Sequence, residues 1–250
     1  MDPLMASAAS GMRARLESLD TLANNLANVA TAGYKTDRES YSTYVAPEAL
    51  EPALDGDSPM PSTLPVVERN WTDFSQGNLT PTGNRLDVAL GSKGFFVVNG
   101  PSGALYTRNG SFRLSAAGLL TTQDGYAVRG VNGLPIQTQG TGTLEISTAG
   151  TIQQDGVAVG QLAVVSMGQP GSLEKTGGNY FRAGDSQVKP TPAMDIEVHQ
   201  GKLEASNVTT PETAIRLVNL LRQFEMLQKA AMLGADMDQR AVQDVARVNP

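Results

Sequence analysis

Apolar residues recur at helical spacing near the start of the chain. Between Pro3 and Val29 they lie three, four or seven positions apart, and charged residues occupy the other positions. Pro3 suits the first turn of a helix, because its missing N–H needs no partner there. Gly33 can adopt the left-handed conformation that ends a helix, so the pattern predicts an amphipathic helix that stops near this residue. Its apolar stripe is formed by Met5, Met12, Leu16, Leu19, Leu22, Leu26 and Val29.

A second helical pattern occupies the other end of the chain. Thr209 or Thr210 can cap this helix, and Pro211 and Glu212 suit its first turn. Apolar residues then alternate at steps of three and four, which is the a/d pattern of a coiled coil. The stripe is wider than one partner helix would cover, so we expect the remaining apolar surface to contact other copies. It comprises Leu217, Leu220, Phe224, Leu227, Ala231 and Gly234, widened by Ile215, Val218 and Leu221.

The middle of the chain, from about 71 to 199, has a different pattern. Short apolar runs end in Asn-Gly or Asp-Gly pairs, as where Phe95–Val98 leads into Asn99-Gly100. Such pairs accept the positive φ angles of the type I′ turns that join hairpins. No helical stretch separates the runs. The pattern therefore favours a meandering antiparallel sheet or barrel over a parallel α/β fold.

Residues 34–70 fit neither pattern. Five prolines, from Pro47 to Pro65, fall within them, and the apolar positions show little periodicity. This composition predicts an extended arm or a disordered loop between the first helix and the β-rich middle.

Charge and cysteine content exclude several classes of function. The 19 Lys and Arg residues against 25 Asp and Glu residues give a net charge of −6. An acidic chain repels phosphate backbones, so we expect no nucleic-acid partner. The absence of cysteine excludes disulfides, thiolate zinc sites and cysteine nucleophiles. No run reaches the roughly 18 apolar residues of a membrane span, and the start of the chain does not resemble a secretory signal.

Candidate catalytic chemistry is sparse. His199 is the only histidine, so no second histidine or cysteine exists to complete a zinc site with it. A Ser-His-Asp triad would have to use His199, and no G-x-S-x-G elbow accompanies it. The run Gly91–Gly94 lacks the spacing of a phosphate-binding loop. We expect no enzyme activity, catalytic residue, cofactor or metal, and we interpret the scattered acids as solvated loop residues: Asp124, Asp155, Asp185 and Asp195.

Two motifs at opposite ends of the chain resemble those of flagellar rod and hook proteins. Residues 23–35, ANNLANVATAGYK, are similar to the signature A-N-N-L-A-N-x-x-T-x-G-(aromatic)-(basic), and residues 201–208, GKLEASNV, resemble the family's second hallmark. Matches within the middle zone lie at 75–79, 86–98 and 106–112. The chain is identified as a member of this family over nearly its whole length. Within the family, residues 222–226, RQFEM, resemble the R-x-F-E-M run of proximal-rod members.

The resemblance implies a fold and a function. The fold is α+β, with long N- and C-terminal helices that form a coiled-coil layer and bracket a mainly antiparallel β domain. The implied divisions are a helix over 1–33, the arm over 34–70, the β-rich domain over 71–205 and a helix over 206–250. The implied function is a structural subunit of the proximal rod, which assembles helically through its terminal helices and transmits motor torque. The candidate subunit interface comprises Leu16, Leu19, Asn24, Asn25, Leu26, Asn28, Leu217, Leu220, Phe224 and Leu227.

The resemblance also implies partners and a location. The expected partners are other copies, other proximal and distal rod proteins, and the flagellar type III export apparatus. The expected location is the periplasm-spanning rod of the basal body, reached without a cleavable signal peptide and without membrane insertion. Tyr41 and Val45 loosely match an export motif of rod and hook substrates.

Three alternatives remain open at this point. A distal-rod subunit would differ mainly in the neighbours it contacts. A secreted β-rich adhesin would need the folded middle zone without the paired terminal stripes. A peptidoglycan-cleaving enzyme would need a pair of carboxylates that the fold brings into one cleft.

Overall fold

A computed structural model describes residues 3–45, 63–139, 142–168, 170–184 and 190–248. The chain divides into two compact units. The first, here the helical unit, contains the residues up to Ala27, the range Asp37–Trp71 and the residues from Thr209 onward. The second, here the β unit, contains Asn28–Thr36 and Thr72–Val208. Each unit therefore combines segments that are distant in sequence.

Two α-helices and eighteen β-strands lie within the described residues. The helices are α1 (Pro3–Ala27) and α2 (Thr210–Val248). The strands are β1 (Asp37–Val45), β2 (Thr63–Thr72), β3 (Leu79–Pro81), β4 (Val88–Leu90), β5 (Phe95–Gly100), β6 (Gly103–Thr107), β7 (Phe112–Leu114), β8 (Leu120–Thr122), β9 (Ala127–Val128), β10 (Leu144–Ile146), β11 (Thr151–Gln154), β12 (Val157–Gln161), β13 (Val164–Ser166), β14 (Leu173–Gly177), β15 (Tyr180–Ala183), β16 (Thr191–Pro192), β17 (Val198–Gln200) and β18 (Lys202–Glu204).

In the helical unit, α1 packs along α2, and β1 pairs with β2 in a two-stranded sheet. The buried face of α1 carries small side chains rather than the predicted leucines. Its members are Ala8, Gly11, Ala14, Ser18 and Asn25. A Cβ atom added to Gly11 would lie 3.4 Å from a methyl group of Leu227 on α2. Small side chains allow the two helix backbones to approach closely here, because little volume separates them.

The predicted coiled-coil layer is wrong. The described residues contain two helices, and strands form most of the elements. A coiled coil needs an a/d row of large apolar knobs on each helix. On α1 the side facing the interior of its unit is a row of small residues, while Leu16 is 50% exposed. The periodicity of α1 correctly predicted a helix, but the prediction placed the wrong side chains on its buried face.

The start of α2 is fixed by a capping pair. The hydroxyl of Thr209 donates a hydrogen bond to the Glu212 carboxylate at 2.9 Å, which is the spacing of a capping box. The N–H of Thr213 donates to the Thr209 carbonyl at 3.0 Å and closes the first turn. Hydrogen bonding to Thr209 and the nearby charge of Arg216 lower the pKa of Glu212. Neither described helix is long and apolar enough to cross a membrane.

The strands of the β unit pair antiparallel. The largest sheet has nine strands, with the path β14-β15-β6-β5-β9-β8-β7; β13 also pairs with β5, and β16 pairs with β13. A three-stranded sheet has the order β10-β11-β12, and two-stranded sheets join β17 to β4 and β18 to β3. The last two pairings bring the end of the β unit's chain back to its beginning.

Strand β5 lies at the centre of the core. Its run Phe95–Val98 is apolar without alternation because both faces of the strand are buried. Phe96 and Val98 point into the main cluster of the core, and Phe95 and Val97 point into a second one. In that second cluster, the rings of Phe74, Phe95 and Phe181 contact one another edge to face at 5.1–5.8 Å. Burial of these apolar side chains is the dominant stabilising term for the β unit.

Candidate subunit interface

The candidate interface residues of α1 are unevenly exposed. Leu16 is half exposed and Asn24 is exposed, while Leu19 and Leu26 are partly buried. They lie beside or opposite the buried small-residue face of this helix. Large apolar side chains of α1 thus remain accessible in the isolated chain.

Two of the predicted asparagines make hydrogen bonds within their own chain. The Asn25 amide donates to the Asp37 carbonyl at 2.8 Å and accepts from the Asp37 N–H at 3.0 Å, which joins the end of α1 to the start of β1. The Asn28 side chain accepts a hydrogen bond from the Thr31 hydroxyl at 3.1 Å. Amides that bond neighbouring backbone are an expected use of asparagine at a helix end. A further role of these residues at an interface stays a prediction.

On α2 the structure separates two apolar faces. Leu217, Leu220, Phe224 and Leu227 are partly buried, and Leu227 contacts Gly11 of α1. A second set of large apolar side chains is exposed, between 45% and 71%. This set, here the outer apolar face, consists of Ile215, Val218, Leu221, Met226, Met232, Leu233 and Met237. The sequence pattern assigned the first three members to the apolar stripe and did not assign the last four to it, although all seven lie off the a/d row on the same helix.

The candidate export motif lies in strand β1. Tyr41 and Val45 both belong to this strand, but their side chains are outside the described part of the chain. Its role therefore stays a prediction.

A groove of about 540 Å³ opens within the helical unit. Its lining includes Arg15 from α1, Arg38 and Trp71 from the two-stranded sheet, and Arg216 from α2. The guanidinium of Arg38 lies 5.9 Å from the centre of the Trp71 ring. Asp37 and Glu39 also line the groove, so its charge is mixed.

The two terminal motifs meet inside the β unit at a buried ionic cluster. The Lys35 ammonium donates to the Glu204 carboxylate at 2.6 Å and to the Ser75 carbonyl at 2.6 Å. Arg108 donates to the other oxygen of Glu204 at 3.3 Å and to the Ser92 carbonyl at 3.0 Å. We name Lys35, Arg108 and Glu204 the terminal clasp. Its members come from three of the motifs on which the resemblance rests, 23–35, 106–112 and 201–208.

The terminal clasp is removed from solvent. The side chains of Lys35 and Glu204 are 0% exposed, and that of Arg108 is 4% exposed. Burial lowers the pKa of Lys35 and of Arg108, and the charge of Glu204 opposes this shift in both. A buried charge is tolerated only when opposite charge and hydrogen bonds compensate its lost hydration. The cluster meets that requirement for Glu204, which also accepts the Gly77 N–H at 2.9 Å.

Backbone and amide contacts extend the clasp on both sides. The Gly33 N–H donates to the Glu204 carbonyl at 2.6 Å. The Asn207 side chain accepts from the N–H and the hydroxyl of Thr36 at 2.8 and 2.7 Å, and it donates to the Asp73 carbonyl at 2.8 Å. Sequence reasoning quoted these motif residues but assigned no partner to Lys35, Glu204 or Asn207. Charged and amide residues inside two otherwise small and apolar motifs were the available signal.

Gly33 and Gly77 are needed where backbones approach closely. Gly33 has a φ of +68°, and a Cβ atom there would lie 2.5 Å from the Arg108 carbonyl carbon. A Cβ atom on Gly77 would collide with the carbonyl oxygen of Ala205. Both glycines therefore permit the terminal motifs to reach the same place. Gly33 takes the predicted left-handed conformation, but α1 already ends at Ala27, so Gly33 does not terminate this helix as predicted.

Candidate chemistry of other kinds is scarce in the described residues. They contain no group of three or more His, Asp or Glu side chains that could hold a metal ion. His199 lies on strand β17, 3.1 Å from the carboxylate of Glu197, near the surface. Neither observation indicates a catalytic arrangement.

Three family models match the chain in consecutive regions. Residues 5–35 match the model described as flagella basal body rod protein. Residues 89–154 match the flagellar hook protein FlgE/F/G D1 domain. Residues 199–244 match the flagellar basal body rod FlgEFG protein C-terminal model. The first and last of these regions contain the two motifs that meet at the terminal clasp.

Similar proteins cover almost the whole chain. A flagellar basal-body rod protein FlgF from Caulobacter vibrioides is 33% identical over 235 residues, which is 92% of this chain and 93% of the relative. A FlgF from Rhizobium meliloti is 30% identical over 87% of each chain. A FlgG from Buchnera aphidicola subsp. Schizaphis graminum is 28% identical over 97% of this chain and all of the relative. The resemblance stated from the motifs is thereby confirmed, and the chain belongs to the flagellar basal-body rod protein family, as a structural subunit of the rod.

Proposed function

We propose that this rod subunit assembles with copies of itself and with other rod subunits through the outer apolar face of α2 and the exposed Leu16 of α1. The supporting observation is the row of seven large apolar side chains that α2 leaves in solvent. Isolated exposed apolar residues are common, but a row along one helix is typical of a surface that another chain covers. In the assembled rod such contacts transmit motor torque from subunit to subunit.

The candidate interface residues divide into two groups under this proposal. Leu16 and Asn24 contact neighbouring subunits directly, because they are exposed. Leu217, Leu220, Phe224 and Leu227 hold α2 in place behind the outer apolar face, and they gain further contacts only at their exposed edges. Leu19, Leu26, Asn25 and Asn28 act in the same supporting way at the end of α1. The outer apolar face is therefore the more sensitive target for mutation.

We place the subunit in the proximal rod. The run 222–226 resembles that of proximal-rod members, and FlgF relatives support the same position. The finer expectations follow the family resemblance: a location in the periplasm-spanning part of the basal body, export by the flagellar type III apparatus, no enzyme activity, and no binding of nucleic acid or insertion into membrane.

Tyr41→Ala with Val45→Ala should reduce the exported fraction if these residues form the export motif. An unchanged exported fraction would remove that assignment.

The assembly proposal is tested with an exposed apolar position and a matched polar one. Leu221→Asp places a charge on the outer apolar face, and Gln137→Asp places the same charge at an exposed position of the β unit. Burying an unpaired carboxylate at an interface costs several kcal/mol, so about a 100-fold loss of incorporation is expected for Leu221→Asp. Incorporation is measured by mass spectrometry of isolated basal bodies. Equal incorporation of the two variants would overturn the proposal.

A photo-crosslinking residue at Val218 supplies a second readout. Crosslinks to other rod subunits in flagellated cells are expected from Val218, and none from Arg113, which is exposed on strand β7 of the β unit. Crosslinks from Arg113 alone would move the interface to the β unit.

A further inference from the structure

The terminal clasp joins residues that are far apart in sequence. Glu204 lies 169 residues after Lys35 and 96 residues after Arg108. Both oxygens of its carboxylate are engaged by these cations, and its main-chain carbonyl accepts the N–H of Gly33. A single residue of the C-terminal motif thus accepts hydrogen bonds from Lys35, Arg108, Gly33 and also from the Gly77 N–H.

Loss of either terminal motif would leave charge buried without its partner. The Lys35 ammonium pairs with the Glu204 carboxylate at 2.6 Å, and both side chains are 0% exposed. Breaking a buried pair by removing one member is much more costly than losing a surface ion pair, because the remaining charge stays desolvated. Lys35 therefore gains its buried position only when Glu204 is present, and Glu204 depends in turn on Lys35 and Arg108.

The surrounding hydrogen bonds spread this dependence over two short segments. In 31–36, the N–H groups of Gly33 and Thr36 donate to Glu204 and Asn207. In 201–207, the N–H of Asn207 donates to the carbonyl of Tyr34 at 3.4 Å. The two segments satisfy each other's backbone groups, so detaching one leaves buried polar groups of the other unpaired.

We infer that the terminal clasp is a latch that makes the ordering of segments 31–36 and 201–207 mutually conditional. Along the chain, the first segment follows α1 and the second precedes α2. The two segments become ordered together and lose their order together. If either segment is detached, the β unit retains a buried charged side chain without its partner. This device lies within the β unit and does not depend on how the subunit assembles.

The test is amide hydrogen exchange of the full chain, followed segment by segment. Lys35→Met removes the cation from one segment, and Glu204→Gln removes the anion from the other while keeping a similar shape. Each variant should speed exchange in both segments, on the order of 100-fold, including the segment that carries no substitution. Lys93→Met and Glu145→Gln are matched controls, because these residues are exposed and lie in the same unit. The controls should leave exchange in both segments unchanged.

A latch differs from ordinary stabilisation in where the effect is felt. Strands β7 and β8, which the clasp does not contact, should keep their protection in the variants. Faster exchange only in the substituted segment, or equally throughout the β unit, would overturn the proposal.

The unmodified chain gives a test that no folding defect can obscure. In a series of low denaturant concentrations, Gly33 and Asn207 should show one shared opening with the same denaturant dependence. Opening of one segment at a lower denaturant concentration than the other would overturn the latch.

Discussion

The two units of this protein treat apolar and charged side chains differently. The β unit buries most of its large apolar residues and encloses three charged side chains, Lys35, Arg108 and Glu204. The helical unit pairs its helices through small residues and leaves seven large apolar side chains of α2 in solvent. The β unit thus pairs both cations with Glu204 within one chain. Under the proposed function, the helical unit keeps this surface for contacts with other subunits.

The largest expected effect is the difference in lost stability between truncating a buried apolar residue and truncating an exposed one. Phe96 is fully buried on β5 and packs edge to face on Phe112. Phe96→Ala should lower the free energy of unfolding of the β unit by about 3–5 kcal/mol, because it removes packing and leaves a cavity. Leu221→Ala on the outer apolar face should change it by less than about 0.5 kcal/mol. Chemical denaturation followed by far-ultraviolet circular dichroism measures both free energies of unfolding. Similar decreases for the two variants would contradict the comparison.

An intermediate effect concerns the buried hydroxyl of Tyr180. This hydroxyl donates to Asp124 at 2.6 Å and lies 2.9 Å from the Thr122 hydroxyl. Burial and the bond to Asp124 raise the pKa of Tyr180 above its ordinary value of 10.0. The folded state therefore keeps the proton after the unfolded state has lost it. The stabilisation is complete below pH 10 and is lost as the pH rises through the raised pKa.

The measurement is the melting temperature of the full chain as a function of alkaline pH. Unmodified protein should lose melting temperature more steeply above pH 10 than Tyr180→Phe, which has no phenol at this position. Burial raises the pKa of Tyr106 in the same direction, so some decline should remain in the variant. The lowered pKa of Lys35 acts with the opposite sign, since the folded state there loses its proton first. Identical slopes in the two proteins would rule out Tyr180 as a source of the pH dependence.

The smallest expected effect lies at the first turn of α2. Thr209→Ala removes the hydroxyl that bonds Glu212, and loss of such a cap costs about 1 kcal/mol of helix stability. The matched variant Thr210→Ala changes the next threonine, inside the first turn, and should have a smaller effect. Thermal circular dichroism at the helix band compares them. A larger loss for Thr210→Ala would show that Thr209 is not the capping residue.

Several features were predictable because they depend on neighbours in sequence. Both helices were predicted from their periodicity, and the run Phe95–Val98 was predicted as a strand. The turn predicted at Asn99-Gly100 is wrong, because the strand continues through Gly100 and the turn lies at 101–102. The motifs at 23–35 and 201–208 were enough to predict the family. These patterns can be recognised in the sequence without knowing which segments contact one another in the folded chain.

The side of α1 that is buried could not be predicted in the same way. Periodicity marks an apolar stripe, but it does not say whether large or small side chains face the partner helix. Close approach of the α1 and α2 backbones favours Gly11 and Ala14 at the contact, and this leaves Leu16 outside. The error about a coiled-coil layer follows from that choice.

The sequence by itself determined the helix and strand periods, the acidic charge and the membership of the rod family. Only the tertiary structure decided that Lys35, Arg108 and Glu204 share one buried site, and that the outer apolar face of α2 stays exposed. The physical reason is the sequence separation of the contacts involved. Periods and turns depend on contacts a few residues apart, whereas a buried ion pair across 169 residues exists only after the chain has brought both motifs together.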